Sequence, residues 1–379
     1  LMLRDALNLW KKRMKLILDD TKNSLDLLYK TNFKVPDPVI FFEIRNKKYL
    51  VLNDLEFERG IKQATVDHVL SLRSISSSIK SNDTIDIIKF LLNKYKIEEV
   101  EVPYTFPSFI FNELKKLNIP LFPSSSPIFY SSRQIKEDKE VRLISKTMKS
   151  TEKVMKLIID RIKSSKAKNK YLFYGGKILT SESLRSYCKK ELAALGLECP
   201  DCIIASGKHS ALPHHEGTGP IKECQPIVMD IFPRDLENGY YADITRTVCK
   251  GRAPEKLKTM FNTVLKGQKL GISLVKARIK SKTVHNRIFN FFEESGFHTN
   301  FEKKQPEGFI HSTGHGLGLE IHEAPRVSSG EDLLRDHQVI TVEPGLYYPR
   351  LGGIRIEDTI LVTKQGYKNL TNFPKFFEI

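Results

Sequence analysis

Cysteine is scarce in this sequence: five residues in a chain of 379, an odd number and widely spaced. That pattern excludes a disulfide framework and points to a reducing compartment. Cys199 and Cys202 form an isolated C-P-D-C. With no second pair and no thioredoxin-like surroundings, they read as thiols beside a buried strand, not as a zinc or redox pair. Apolar runs of the ~18 residues that a membrane span needs are also missing. At the start of the chain, Leu1 to Leu9 is interrupted by Arg4, Asp5 and Asn8 and followed by Lys11, Lys12 and Arg13, the wrong order for a signal peptide. These absences predict a cytoplasmic protein with no membrane attachment.

Acidic residues are the minority charge, 45 against 61 basic, for a net charge of +16. A surplus of this size raises the question of nucleic acid or anionic lipid. The lysines are scattered, however, and the densest group, Lys163, Lys166, Lys168 and Lys170, lies in a Ser/Asn-rich stretch that reads as a solvated loop. No aromatic residues alternate with them and no nucleic-acid module pattern is present, so no nucleic-acid partner is expected. The 40% hydrophobic and 28% charged fractions suit a folded chain with a sizeable core, and the length suggests two domains.

From Pro38 onward, Val39 to Ile44 and Tyr49 to Leu52 flank Arg45-Asn46-Lys47-Lys48 as the arms of a hairpin. Asn53 with Glu56 three residues later resembles a capping box opening a helix. Strands are expected at 66–72, 100–102 and 119–122, with helices at 83–95 and 109–117, an alternation that implies a small α/β domain. Pro123 to Pro127, enclosing three serines, is a breaker cluster, which puts the boundary near residue 130: residues 1–130 form one domain and 131–379 the other. Val141, Ile144, Met148, Met155, Ile158 and Ile162 then recur at helical spacing, an amphipathic helix whose methionines are core packing.

The second domain repeats an organisation once. Helices near 180–195 and 284–294 each precede a glycine, Gly196 and Gly296, then a histidine-bearing turn and a hairpin. Asp230 and Asp243 are 13 positions apart in the first half, and Glu343 and Glu357 are 14 apart in the second. The matching suggests two similar half-domains whose hairpins face each other.

All four acids sit in strand-like apolar runs, beginning with Ile227-Val228-Met229-Asp230-Ile231-Phe232. An ionised carboxylate buried there loses several kcal/mol of solvation and needs a cation, a strong donor or a raised pKa. Taken singly, each Asp is most simply paired with a basic neighbour such as Arg246. Four such acids, with His311, His315 and His322 in H-S-T-G-H-G-L-G-L-E-I-H, make a different case: four carboxylates and one imidazole suit a pair of divalent ions that activate water. Oxygen-rich ligation favours manganese, cobalt, iron or zinc over copper.

These residues resemble the pita-bread metallopeptidases, the family of Xaa-Pro aminopeptidase, prolidase, methionine aminopeptidase and creatinase. The resemblance rests on five motifs in order: A-L-P-H ending at His214, D-I-T-R-T from Asp243, G-H-G-L-G-L-E-I-H ending at His322, V-E-P-G-L-Y around Glu343 and G-I-R-I-E-D around Glu357. It implies an α/β (α+β) fold with a C-terminal pita-bread catalytic domain behind a smaller creatinase-like α/β domain. It also implies two divalent metal ions, with manganese the first choice and a homodimer as the assembly. By the same resemblance Asp230 would chelate one metal, His315 and Glu343 the other, and Asp243 and Glu357 would bridge them. His214, His311 and His322 would line the substrate side, Arg355 would brace Asp243, and Glu343 would also take the proton of the attacking water. The segment from Asp230 to Asp243, which contains Arg234-Asp235-Leu236-Glu237, is slightly longer than the family's usual spacing.

Creatinase and non-catalytic binding proteins share such a fold, but the complete ligand set favours an enzyme. The expected activity is an Xaa-Pro aminopeptidase, with Xaa-Pro dipeptidase, or prolidase, as the alternative. A dipeptidase must capture the carboxylate after proline; Arg350 is the candidate cation, but its simpler reading is a solvent-exposed loop arginine, which favours the aminopeptidase.

Overall fold

The computed structural model describes residues 12–118 and 120–379. The N-terminal stretch weighed above as a signal peptide, and Ile119 at the head of the expected 119–122 strand, lie outside the described residues. The chain divides into two compact units between Arg133 and Gln134.

The first unit is built on six strands: β1 (Arg13–Asp19), β2 (Val39–Ile44), β3 (Lys47–Leu52), β4 (His68–Ser71), β5 (Glu99–Val102) and β6 (Leu121–Pro123). Their order is β4-β3-β2-β1-β5-β6, with β2 antiparallel to its neighbours β1 and β3 and the outer pairings parallel. Arg45 and Asn46 turn the β2–β3 hairpin with φ of 48° and 64°, the left-handed pair that a two-residue connection between twisted strands demands. Leu16, Phe42 and Val100 face one core, while Ile17, Phe41 and Leu50 face another. Both sheet faces are therefore covered, which is why the strands read as nearly unbroken apolar runs. Around the sheet lie α1 (Leu25–Thr31), α2 (Asp54–Gln63), α3 (Leu72–Ile79), α4 (Thr84–Lys94) and α5 (Ser108–Lys115). Asn53 caps α2 by accepting from the Glu56 N–H, and Asp83 caps α4.

The second unit opens with α6 (Asp138–Lys163), whose buried stripe includes Val141, Ile144, Met148, Met155, Ile158 and Ile162. Next comes a small sheet of β7 (Lys166–Lys168), β8 (Tyr171–Tyr174) and β9 (Lys177–Ile178). The lysine-rich segment expected to be a solvated loop is exposed but paired: β7 is the edge strand, turned into β8 by Asn169 and Lys170 at φ 52° and 68°. Charged lysines on an open strand edge discourage pairing with other chains.

After α7 (Ser181–Ala193) come β10 (Leu197–Glu198), β11 (Ile203–Ser206), β12 (Pro226–Ile231), β13 (Arg234–Asp235) and β14 (Ile244–Cys249). The last stretch holds α8 (Glu255–Leu274), α9 (Ser281–Glu294), β15 (Gly314–Gly316), β16 (Glu323–Val327), β17 (Val339–Val342), β18 (Gly345–Tyr348), β19 (Gly352–Arg355), β20 (Asp358–Val362) and β21 (Tyr367–Asn369). They form a three-stranded sheet β11-β12-β14, a five-stranded sheet β16-β15-β17-β20-β21, and the ribbon β18-β19. The extra residues between Asp230 and Asp243 are folded: Arg234–Asp235 pairs with β10.

Two apolar cores result. Residues of α6 and α7 with Ile227, Met229 and Ile231 of β12 make the first. Residues of α8 and α9 with Ile340, Val342 and Ile360 make the second. Each half carries one antiparallel pair, β12–β14 or β17–β20, at the meeting of the halves.

Candidate active site

Strand alternation decides which acids are available. In the β12–β14 pair Asp230 lies opposite Thr245 and Met229 opposite Arg246, so Arg246 shares the face of Met229, away from Asp230. Its guanidinium pairs with buried Asp358 at 2.9 Å. The simple pairing of Asp230 or Asp243 with Arg246 is thereby excluded by register.

Asp243 and Glu357 each sit one residue before a strand, β14 and β20, and Glu343 one residue past β17. They were expected inside continuous strands. Instead the chain changes sheet at Glu357, leaving the β18–β19 ribbon and entering the β17–β20 pair, and its N–H donates to Thr245 O across the seam at 3.1 Å. His315 enters from β15, where a Cβ on Gly314 would fall 2.0 Å from Thr341 O. Only glycine permits that approach, which lets the Thr341 hydroxyl accept the His315 N–H at 3.1 Å.

One ligand atom each from Asp243, His315 and Glu357 lies within 4.8 Å of the other two. His315 Nδ1 meets the Gly316 carbonyl at 3.0 Å and must carry the proton, leaving the Nε2 lone pair 3.4 Å from Glu343 Oε1 and 3.6 Å from Asp243 Oδ2. Burial, with His322 next in effect, pushes the His315 pKa down to about 4, so the ring is neutral in the physiological range. Acceptors thus face acceptors. Asp230 Oδ1, Asp243 Oδ1 and Glu357 Oε1 are buried without a hydrogen-bond partner. Burial raises Asp243 and Glu357 well above the usual carboxylate range, helped by Glu357 acting on Asp243 and Glu343 on Glu357, and it pushes Glu343 up to about 8. A cluster of this kind is satisfied by protons or by cations, and divalent ions fit its donor set.

Arg355 was expected to brace Asp243; it braces Asp230. Its Nη2 donates to Asp230 Oδ2 at 2.6 Å, Nη1 to the Tyr347 hydroxyl at 2.8 Å and to Pro213 O at 3.2 Å, and Nε to Thr245 Oγ1 at 3.3 Å. The backbone N–H of Arg355 also bonds Thr247 Oγ1 at 3.1 Å, so β19 runs over the face carrying Thr245 and Thr247, and the side chain extends along it toward Asp230. Asp243 receives no contact from it.

His214, His311 and His322 all line one cavity of about 630 Å³ together with Asp230, Asp243, His315, Glu343, Arg355 and Glu357. Its size suits a small peptide or other compact ligand. His311 is more constrained than expected: Nδ1 donates to Ser312 O at 2.7 Å, so Nε2 accepts from the Tyr347 hydroxyl at 2.9 Å. Both ring nitrogens are engaged, and burial, followed by the Arg355 charge, pushes its pKa down to about 3. The ring centroid of His322 stands 4.4 Å from that of His315, edge to face.

Several contributors were not legible in the sequence. Lys136, just before α6, pairs with buried Glu323 at 2.6 Å, while Glu323 Oε1 accepts the Leu319 and Glu320 N–H groups at 3.1 and 3.2 Å. This holds the loop that presents His322. Arg326 on β16, directly opposite His315 in register, also lines the cavity. Arg350 lies exposed in the β18–β19 turn and is not part of the cavity wall.

The proton bound by Glu343 has a measurable consequence. In chelator, the folded chain holds that proton up to about pH 8 while the unfolded chain has released it near the ordinary carboxylate value of 4.5, so this contribution to stability is lost as pH rises through the folded pKa. The depressed histidines act oppositely but only below the ordinary imidazole value of 6.5. The melting temperature of chelated protein is therefore expected to fall between roughly pH 6.5 and 8, and saturating divalent metal should remove the slope. A flat profile in chelator would show that Glu343 does not retain a proton.

Converging carboxylates and a neutral imidazole on the wall of a cavity make a candidate metallohydrolase centre. A sequence model of metallopeptidase family M24 matches residues 142–364, and the chain belongs to that family. It is 36% identical over 299 residues to an Xaa-Pro dipeptidase of Pyrococcus horikoshii, covering 77% of this chain and 79% of that one. Among solved structures, an Xaa-Pro dipeptidase from Bacillus anthracis superposes with a TM-score of 0.82 at 25% identity, over 100% of this chain and 98% of that one. A prolidase from Pyrococcus horikoshii gives 0.78 at 29% identity, over 99% and 97%. The protein is a metallopeptidase with the α/β pita-bread architecture of its family. Among the described residues no helix is long and apolar enough to cross a membrane.

Proposed function

We propose that the chain is an Xaa-Pro dipeptidase, with Asp230, Asp243, His315, Glu343 and Glu357 holding two divalent ions, manganese foremost. The aminopeptidase reading, favoured from sequence, gives way to its alternative. The observation that carries this choice is Arg326. It lines the cavity, stands opposite His315 in register, has no ion pair among the described residues, and is the cation this reading assigns to a dipeptide's carboxylate. The dipeptidase names of the relatives above support the same reading.

When bound, the ions supply Lewis acidity to the scissile carbonyl and acidify a water molecule. The chain's own groups do the rest. Arg355 fixes Asp230 and, through Pro213 O, the segment carrying His214. Glu343, with Thr341 Oγ1 3.3 Å from its Oε1, is the group placed to take up and release the proton. His322 and His214, on the cavity wall, face the peptide and orient it. The five free thiols, four of them buried, support a cytoplasmic setting, and we retain the homodimer as the assembly, open to light scattering.

The test compares Ala-Pro, Ala-Pro-Ala and an alanine tripeptide in the parent and in Arg326→Met. A charge-assisted hydrogen bond contributes about 1.5–3 kcal/mol, so the variant should lose roughly 10- to 150-fold in kcat/KM on Ala-Pro and far less on Ala-Pro-Ala. Cleavage of Ala-Pro-Ala without Ala-Pro would restore the aminopeptidase reading. Fast cleavage of the alanine tripeptide would remove proline specificity.

A further inference from the structure

The part of the cavity lining that comes from β11 and β12 differs in chemistry from that around Arg326. Ile203 of β11 is paired with Asp230 of β12, so the two side chains share a sheet face. The opposite face, with Cys202, Ile204, Met229 and Ile231, is buried in the first core. Asp201 lies in the turn two residues before Ile203, Phe232 lies just past β12 and also packs against that core, and Asp201, Ile203, Phe232 and Ile321 all line the cavity. Ile203 is buried, Phe232 half-buried and Asp201 exposed. Apolar side chains and one exposed acid thus share this part of the cavity lining.

Asp201 and Glu216 are not equivalent. Glu216 already lies 3.5 Å from Arg185, whereas Asp201 takes part in no ion pair or side-chain hydrogen bond among the described residues. An unpaired carboxylate past an apolar wall matches a side chain with an aliphatic stem and a terminal cation.

We propose that Asp201, with Ile203, Phe232 and Ile321, forms the subsite for the residue before the scissile bond and selects lysine or arginine there. The inference rests on the dipeptidase reading for its orientation: the carboxyl end lies at Arg326, so the amino-terminal residue lies over the Asp230 face. The preferred substrates are then Lys-Pro and Arg-Pro, and an acidic first residue is disfavoured by Asp201.

The test compares Lys-Pro with its neutral isostere norleucyl-Pro and with Glu-Pro, in the parent, Asp201→Asn and Asp201→Lys. Norleucyl-Pro presents no charge to Asp201, so its turnover in each protein is the reference against which that protein's Lys-Pro and Glu-Pro turnover is read. In the parent, kcat/KM should favour Lys-Pro over norleucyl-Pro by about fivefold, the size expected of a partly exposed charge pair. Asp201→Asn should bring the ratio to about one, and Asp201→Lys should favour Glu-Pro. Free lysine and norleucine titrated calorimetrically should show the same order without turnover. A parent ratio of one or below, or a ratio unchanged in both variants, overturns the proposal. The same first residues in Xaa-Pro-Ala and Xaa-Ala-Ala keep the readout separate from the function above: loss of dipeptide or proline selectivity defeats that function, while the lysine-to-norleucine ratio still reports on Asp201.

Discussion

Asp243→Asn should abolish metal retention and lower turnover by at least about 10³-fold, while making the metal-free protein more stable than the parent. The two effects have one cause. Asp243 is buried among carboxylates, with Glu357 the chief neighbour raising its pKa, and one of its oxygens has no partner. Replacing it with a neutral amide relieves repulsion when nothing else neutralises the cluster and removes charge that a divalent ion needs. A residue kept for folding would show the reverse sign. Metal content by emission spectrometry and melting in chelator separate the cases, and a variant that keeps its metal or melts below the chelated parent would contradict the assignment. Glu357→Gln should behave alike, although the lost carboxylate also accepts from Thr245 Oγ1 at 2.8 Å, so its gain in chelator should be smaller.

For Arg355→Met the expected result is a loss of stability of about 3–5 kcal/mol in chelator, the usual consequence of leaving one member of a buried ion pair without its partner. Arg355 is 3% exposed, and it satisfies Asp230, Tyr347, Thr245 and Pro213 O together. Methionine keeps much of the volume and none of the donors. Lysine should not rescue it, because one ammonium cannot reproduce a planar fork reaching four acceptors. The double variant Asp230→Asn with Arg355→Met should recover part of the loss, since no uncompensated carboxylate remains at that position. Urea denaturation gives the numbers; a change under about 1 kcal/mol for Arg355→Met would mean that Asp230 finds water or another donor without it.

The clustered acids were legible because burial leaves a mark on sequence: an acid inside an apolar run needs a partner, and four such runs at matched spacing are hard to explain separately. The helix of Val141 to Ile162 and the hairpin around Arg45 and Asn46 were legible because period and turn chemistry are local. Direction across strands was not. Arg246 looks like a partner for either aspartate until register turns it to the other face, and Arg355 looks equally able to reach Asp243 or Asp230 until β19 is laid across Thr245 and Thr247. Ile354 to Thr359 reads as one strand, and nothing local in its sequence shows that the chain changes sheet at Glu357. Arg326 is an exposed residue of an alternating strand, a pattern shared by any edge; its meaning comes from standing opposite His315. Lys136 and Glu323 are far apart in sequence, and only the fold brings them together.

The two cores of the catalytic unit bear on when the protein becomes able to capture an ion. One half contributes Asp230 and Asp243, the other His315, Glu343 and Glu357, and the carboxylates meet only where β12–β14 and β17–β20 come together. Either hairpin can order its own backbone and bury its own apolar side chains without creating a pocket that holds a divalent ion. Capture is therefore expected late in maturation, dependent on docking and not on local folding. During refolding, the appearance of tightly held metal should mark the moment at which the two halves lock, after helical structure has formed.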